Sequence, residues 1–156
     1  MPLSASLVDK VQEGVYLLSV QWNLRFSKAY ALKGSAKEQL LQEKREEQDY
    51  QVLDELPFYF NGAGYINKQR TALFLYEEAT GKLTRVTRET FSTGSFHLHP
   101  DGKQLLFTGQ SYTTKRKHKT GAYVYDLETG KTRELLKPRT YDLYDALWWG
   151  EKILLL

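Results

Sequence analysis

The sequence lacks cysteine, has few prolines and contains no long run of apolar residues. With zero cysteines among 156 residues, disulfides and thiolate metal sites are excluded. The longest apolar runs are only a few residues, whereas a transmembrane helix needs roughly 20, so we expect no membrane partner. The formal net charge of +3 is too small by itself to predict binding to nucleic acid or to an anionic membrane.

The first ten residues lack the pattern of a signal peptide, which is a basic segment followed by an apolar core of roughly 7–15 residues. A cytoplasmic location is therefore expected. The apolar content of 41% and the charged content of 26% are those of a globular chain. A chain of this length is ordinarily one domain.

The segment from Ser92 to Leu136 contains four short apolar runs separated by three polar breaks. Pro100-Asp101-Gly102 predicts a tight hairpin, because proline presets φ and glycine accepts the left-handed conformation at the end of the turn. Glu128-Thr129-Gly130-Lys131 predicts a second hairpin, and a longer polar break at 111–120 joins the two. The segment therefore predicts one four-stranded antiparallel unit of about 45 residues, the size of a β-propeller blade.

Parts of this pattern occur elsewhere in the chain. Thr80-Gly81-Lys82 recurs 49 residues later as Thr129-Gly130-Lys131, and the last residues resemble the start of another unit. An internal repeat of about 40–50 residues is typical of propellers. The sequence therefore predicts an all-β fold, a partial β-propeller of about two and a half four-stranded antiparallel blades with one helical insertion. The predicted units are about 3–91, 92–137 and 142–156, with the insertion at about 35–65.

A closed propeller needs at least about four blades, so we expect this chain to be a piece of a larger propeller. Exposed strand edges can pair with another chain. We therefore expect possible homo-oligomers through those edges.

The insertion combines a charged helix with an aromatic segment. Ser35, followed three residues later by Glu38, has the spacing of a capping box and predicts a helix over 37–48 that lies on the surface. Phe58, Tyr59 and Phe60 follow, too concentrated for an exposed loop. We expect them to be buried and to anchor the insertion, so that Phe60→Ala lowers the melting temperature.

The turns and the aromatic segment together resemble a known family. The paired turns resemble the repeats of propellers in the prolyl oligopeptidase family and in TolB-like proteins. The segment from Glu55 to Tyr65, followed by a strand and a Thr-Gly-Lys turn, is similar to the acylaminoacyl peptidase and dipeptidyl aminopeptidase branch. The resemblance extends from about Tyr50 to Leu136.

This resemblance implies a propeller that covers an α/β-hydrolase domain and filters peptide substrates by size. The implied partners are the remainder of the propeller, the hydrolase domain and the peptide, and no cofactor is implied. The chain has no Gly-x-Ser-x-Gly motif for a nucleophile, so we expect no catalytic residue and no hydrolysis by this chain alone. The alternative is a TolB-like propeller that binds protein partners and has no enzymatic role.

The candidate substrate-access residues are Glu46, Glu47, Phe58, Tyr59 and Phe60. The resemblance to dipeptidyl peptidases implies that two adjacent carboxylates can hold the amino terminus of a substrate, since they accept hydrogen bonds from an ammonium. The simpler interpretation of the two glutamates is a solvated helix face. The aromatic residues could line a substrate passage, although the simpler interpretation is that they pack the insertion.

Two further candidates have a simpler interpretation that we prefer. His97 and His99 lie two apart on a predicted strand, so they share a face and could bind zinc with His118 or an acid as third ligand. The simpler interpretation is polar residues beside a wet channel, so we predict no metal.

The basic loop Lys115–Lys119, with Tyr112 and Tyr123 nearby, could grip phosphates and stack bases. A solvated loop is the simpler interpretation, and we predict no nucleic-acid partner.

Overall fold

Most of the chain forms short antiparallel β-strands, which confirms the all-β prediction. The computed structural model describes residues 4–46, 52–138 and 143–156. The strands are β1 (Ala5–Gln12), β2 (Val15–Asn23), β3 (Tyr59–Phe60), β4 (Gly64–Tyr65), β5 (Gln69–Glu77), β6 (Lys82–Arg85), β7 (Phe91–Leu98), β8 (Gln104–Ser111), β9 (Gly121–Asp126), β10 (Lys131–Leu136), β11 (Ala146–Trp149) and β12 (Lys152–Leu155).

The strands form two four-stranded sheets and two separate hairpins. Sheet I has the order β1-β2-β5-β6, and sheet II has the order β7-β8-β9-β10. All neighbouring strands in both sheets are antiparallel. The hairpins are β3–β4, within the insertion, and β11–β12. The insertion therefore separates the two central strands of sheet I in sequence without separating them in space.

The predicted turns of sheet II form as expected. Gly102 has φ +71° and its N–H donates to the His99 carbonyl oxygen over 2.8 Å. At the second turn, Gly130 has φ +67°, and the Asp126 carboxylate accepts hydrogen bonds from the backbone N–H and the hydroxyl of Thr129. Because left-handed φ is strained for residues with a Cβ, glycine at these two positions selects the register of both hairpins.

Other elements pack against both faces of sheet II, although its outer strand β10 is mostly exposed. Side chains alternate along β8, so Leu105 and Phe107 face sheet I while Leu106 faces the hairpin β11–β12. The first cluster joins the two sheets through buried residues Leu17, Leu73, Val86, Phe91, Leu105, Phe107 and Tyr125. The second joins sheet II to the hairpin through Leu106, Ala122, Val124, Leu143 and Ala146.

The helical part of the chain differs from the prediction. A 3₁₀ turn (Leu24–Phe26) and a short helix α1 (Ser27–Ala31) occupy a stretch without a periodic apolar pattern, and the longer helix α2 is Gly34–Glu46. Ser35 therefore lies inside α2 and is not its N-cap. The helix remains a surface element, since most of its described side chains are exposed.

The aromatic segment also differs, because Phe58, Tyr59 and Phe60 are exposed and do not fill a groove. Tyr59 and Phe60 form β3 of the hairpin β3–β4, and Phe58 directly precedes it. A hairpin of two residues per strand buries little side-chain surface by itself, and no other element of the described ranges buries these rings. The prediction that the three rings are buried was therefore wrong.

None of the helices in the described ranges has the length and apolar character needed to cross a membrane.

Candidate functional site

Four aromatic side chains project from the hairpin β3–β4 into solvent. Phe60 is 58% exposed and Tyr65 is 57% exposed, and Tyr59 and Phe58 are also exposed. The Tyr59 and Tyr65 rings meet edge to face with centroids 5.7 Å apart. We call Phe58, Tyr59, Phe60 and Tyr65 the aromatic hairpin. An exposed group of this kind is typical of a surface that contacts a partner or ligand.

A buried ion pair fixes the segment that leads into the aromatic hairpin. The two guanidinium NH groups of Arg70 donate to the two carboxylate oxygens of Glu55 over 2.8 and 2.9 Å. Both side chains are at most 1% exposed. A bidentate arginine–carboxylate pair has a specific planar geometry. This Glu55–Arg70 pair therefore fixes the segment before the hairpin to the start of β5.

Arg70 also connects the insertion to sheet II. Its guanidinium donates to the carbonyl oxygens of Tyr112 over 2.7 Å and of Thr90 over 3.1 Å. It lies 3.6 Å from the centroid of the Tyr112 ring, within the range of a cation–π contact. Because one side chain binds both the insertion and the end of the β7–β8 pair where Phe91 meets Ser111, the aromatic hairpin has a defined position on the fold.

The basic loop lies against the same segment. The Leu56 N–H donates to the Thr114 carbonyl oxygen over 2.8 Å, and the Arg116 N–H donates to the Leu56 carbonyl oxygen over 2.7 Å. These bonds form an isolated parallel bridge between Leu56 and Lys115. Since Phe58 is only two residues beyond Leu56, the structure brings the aromatic hairpin and the basic loop together.

A buried glutamine holds the other side of the basic loop. The Gln110 side chain donates to the Lys117 carbonyl oxygen over 2.6 Å and accepts from the Lys117 N–H over 2.9 Å. Gln110 is 3% exposed, so this paired contact is rigidly supported. The loop is therefore fixed through its backbone, while its basic side chains point outward.

The surface around the basic loop carries an excess of positive charge. Lys115, Arg116 and Lys117 are exposed, and within the described residues no ion pair involves them. The nearby acids are already engaged, since Lys68 binds Asp54 over 3.1 Å and Arg70 binds Glu55. The hydrogen bond from Lys68 lowers the pKa of Asp54. The arrangement can attract an anionic group beside exposed aromatic rings.

Of the two glutamates proposed for substrate access, Glu46 is exposed at the end of α2. Its carboxylate accepts a hydrogen bond from the Gln42 side chain over 3.1 Å. This is an ordinary contact one helical turn apart. Glu47 lies outside the described residues.

The two strand histidines contact acids on the side of hairpin β11–β12. His97 Nε2 is 3.2 Å from Asp145 Oδ1, and His99 Nδ1 is 2.7 Å from Asp101 Oδ1. The hydrogen bond to Asp101 raises the pKa of His99. Across the described ranges, no group of three His, Cys, Asp or Glu side chains could hold a metal ion.

A serine, a histidine and an aspartate come together here without the order of a catalytic triad. A hydrogen bond from Ser95 lowers the pKa of Asp145, and the Ser95 hydroxyl also contacts the Thr108 hydroxyl over 3.0 Å. Ser95 and His97 thus both approach the same carboxylate. In a triad the imidazole lies between serine and acid, so that it can accept the serine proton. This cluster is not arranged for nucleophilic attack.

Sequence reasoning did not identify the Glu55–Arg70 pair. The only signal was an arginine at the start of a strand whose following residues are apolar, and a charge buried at such a position needs an anion. Several nearby acids could have served, and the sequence does not choose among them. The choice of Glu55 follows from the path of the insertion.

No protein-family model matches the chain, and no curated protein matches it at a significant level.

Proposed function

We propose that this chain is the non-catalytic propeller portion of a serine peptidase resembling acylaminoacyl peptidase. In this role it gates the access of peptides to a hydrolase domain that the chain does not contain. The observation that carries the proposal is the stacking of consecutive antiparallel units. Sheet II packs with one face on sheet I and with the other on the hairpin β11–β12.

This stacking is the relation expected between neighbouring blades. In a propeller each blade is a four-stranded antiparallel sheet whose two faces are covered by the blades before and after it. Sheet I precedes sheet II in the chain and the hairpin follows it. β7 contacts sheet I through β5 and contacts the hairpin through β11. The hairpin then corresponds to the first two strands of a third blade.

In this proposal, the aromatic hairpin and the basic loop border the path of the peptide. The rings provide apolar contact area, and Lys115 and Arg116 provide charge for carbonyl or carboxylate groups. Glu46 and Glu47 are proposed to hold the amino terminus of the substrate. Chemistry is assigned to another domain, because the sequence has no nucleophile motif and the Ser95–His97–Asp145 cluster lacks the triad order.

The test uses a fluorophosphonate probe, which labels activated serines. We expect no labelling of this chain alone. The product of the complete reading frame should be labelled at a serine outside residues 1–156. It should also hydrolyse short acyl-peptides faster than long ones. Labelling of Ser95, or no labelling of the complete product, would contradict the peptidase assignment.

The second candidate is a TolB-like propeller that serves as a protein-binding module. The exposed aromatic hairpin beside the exposed side chains of Lys115, Arg116 and Lys117 favours it, since aromatic and arginine side chains are enriched at protein interfaces. A complete product that is not labelled by the probe, but that captures a partner only when Phe58, Tyr59 and Phe60 are intact, would support this candidate over the first.

We also propose that copies of this chain associate through exposed strand edges. β1 lies at the edge of sheet I, and nearly all of its residues are exposed. Such an edge presents unpaired backbone groups to another strand. Light scattering should detect dimers or larger species, and a monodisperse monomer would exclude this association.

A further inference from the structure

A pocket of about 350 Å³ lies between the segment that follows β6 and the outer strands of sheet II. β6 is only four residues long and ends at Arg85, whereas β10 has six residues. Beyond β6 the chain turns through residues 86–90 and enters β7. This segment forms one wall of the pocket, and the sheet I face of β9 and β10 forms the other.

The floor of the pocket is aromatic. Phe91 and Phe107 are buried, with ring centroids 5.6 Å apart in an edge-to-face contact. Tyr123 is stacked on Phe107 with centroids 5.5 Å apart and meets Phe91 edge to face at 5.3 Å. Each ring is therefore oriented by the other two. The floor offers a rigid apolar surface to a ligand side chain.

Two opposite charges line the same pocket. Arg88 comes from the wall before β7 and Glu134 comes from β10, and both side chains are exposed. Among the ion pairs of the described residues, none joins these two charges. Burial raises the pKa of the Tyr123 hydroxyl, while Glu134 raises and Arg88 lowers the same pKa. Arg88 and Glu134 are therefore close enough to the Tyr123 hydroxyl to affect its pKa.

The backbone that carries Arg88 is held on both sides. The Phe91 N–H donates to the Arg88 carbonyl oxygen over 3.0 Å. Arg85 donates to the Thr87 carbonyl oxygen over 2.7 Å and to the Glu89 carbonyl oxygen over 3.4 Å. The Arg85 guanidinium lies 4.4 Å from the centroid of the Trp22 ring. Hydrogen bonds therefore fix the backbone at Arg88, and the pairing of β10 with β9 fixes the backbone at Glu134.

We propose that this pocket binds a short zwitterionic peptide of about two residues with an apolar side chain. Arg88 binds the carboxylate, Glu134 binds the ammonium, and the side chain lies on the ring of Tyr123 and the rings below it. Charge-assisted hydrogen bonds of this kind are roughly twice as strong as neutral ones. The volume is at the lower end of the range for small-molecule sites, about 300–1,000 Å³. The proposal is independent of the peptidase assignment.

The test is isothermal titration calorimetry of the full chain with alanyl-leucine, N-acetyl-alanyl-leucine and alanyl-leucinamide. The free dipeptide should bind, and each blocked form should bind about tenfold more weakly, as expected for the loss of one charge-assisted hydrogen bond.

Substitutions assign the two ends of the ligand. Glu134→Gln should weaken the free dipeptide about tenfold and remove its advantage over the acetylated form, while its advantage over the amide remains. Arg88→Gln should do the reverse. Thr132→Phe, which fills the pocket from β10 without changing a charge, should abolish binding of all three ligands.

Two variants serve as matched controls. Arg133→Gln and Glu128→Gln change exposed charges that do not line this pocket, so both should bind like the unmodified chain. Absence of binding by alanyl-leucine at millimolar concentration would overturn the proposal. Equal binding of the free and blocked ligands, or equal losses in the control variants, would overturn it as well.

Discussion

The two four-stranded sheets have the same strand order, but their second strands are buried differently. Leu17 in β2 and Leu105 in β8 follow corresponding turn glycines, and both are buried in the cluster that joins the sheets. At the next position, Leu106 is fully buried at 0% exposure, whereas Leu18 is only half-buried. The hairpin β11–β12 covers Leu106, and the matching face of sheet I is less completely covered.

This comparison shows that the repeat determines which way a side chain points, and the neighbouring layer determines how much its burial stabilises the fold. The outer face of sheet I is partly covered by local contacts. The Trp22 ring meets Tyr30 of α1 at 4.1 Å and Phe74 at 6.0 Å. Sheet I therefore uses aromatic and cation–π contacts at a face where sheet II has a complete apolar layer.

The largest loss of stability should come from breaking the buried Glu55–Arg70 pair, which connects the insertion to sheet I. Glu55→Ala leaves the buried Arg70 charge without its carboxylate, and breaking such a pair costs about 3–5 kcal/mol. Urea denaturation should show this loss. Asp54→Ala is the control, since Asp54 pairs with Lys68 at an exposed position and should cost less than about 1 kcal/mol. Similar losses in the two variants would mean that the buried pair does not hold the insertion.

The double variant Glu55→Leu with Arg70→Met tests the same pair without an unpaired charge. Apolar replacement of both partners of a buried pair is often neutral. We expect the double variant to be more stable than Glu55→Ala alone, measured by the same urea titration. If the double variant were less stable than Glu55→Ala, this interpretation would be contradicted.

The comparison of the sheets predicts unequal costs at corresponding positions. Leu106→Ala should lower the free energy of unfolding by about 2–5 kcal/mol, the range for a fully buried leucine. Leu18→Ala should cost about half as much or less, because less of its surface is removed from water. Both values come from urea denaturation. Equal costs would show that sheet I has a cover comparable to that of sheet II.

A change of pH should affect the contact between sheet II and the hairpin β11–β12. The His99 ring meets Trp148 edge to face at 4.6 Å, and the hydrogen bond to Asp101 raises the pKa of His99 above its ordinary value of 6.5. The protonated form is therefore favoured in the folded state. The stability that the protonated His99 contributes to the fold is fully present below pH 6.5. It is lost as pH rises through the pKa of His99 in the folded state.

When the pH is raised from 5 to 8, the melting temperature of the unmodified chain should consequently fall more than that of His99→Gln. The pKa of Asp101 is lowered, mainly by the Lys103 N–H, so the stability that Asp101 contributes is lost only as pH falls below 3.8, the ordinary pKa of an aspartate. The two titrations are thus separated in pH. An identical pH dependence in His99→Gln would exclude the His99–Asp101 contact as its cause.

The smallest effect is expected at the aromatic hairpin. Phe60→Ala should change the free energy of unfolding by less than about 0.5 kcal/mol, as is usual for exposed positions. This reverses the expectation from sequence, because Phe60 is exposed. Phe107→Ala provides the contrast, with an expected cost of about 3–5 kcal/mol. A large loss of stability in Phe60→Ala would indicate that the ring is covered in solution.

The strands and turns of sheet II were predictable because their signals are local. Pro100-Asp101-Gly102 and Glu128-Thr129-Gly130-Lys131 define two turns, and the apolar runs between them have strand length. The helix over residues 34–46 was also predictable in kind from its strong helix formers. Its first residue was not, since the helix begins at Gly34, three residues before the predicted start, and a capping-box spacing alone does not define the boundary.

The candidate sites depend on contacts that no local pattern contains. Leu56 and Lys115 are brought together by the path of the insertion, and Arg88 and Glu134 by the packing of two sheets. The aromatic residues of the hairpin were assigned to the interior because three adjacent aromatic residues were expected to be too concentrated for an exposed loop. A hairpin of two residues per strand buries little surface by itself, and the rings are exposed in the described structure.

By itself, the sequence determined the all-β character, the positions of the turns and the alternation of side chains along each strand, because these follow from local backbone preferences and the two-residue period. Only the tertiary structure decided that Glu55 is the partner of Arg70, that the aromatic hairpin is exposed and that sheet II is covered on both faces. Burial and charge pairing depend on which distant residues meet, and that is set by the packing of whole elements.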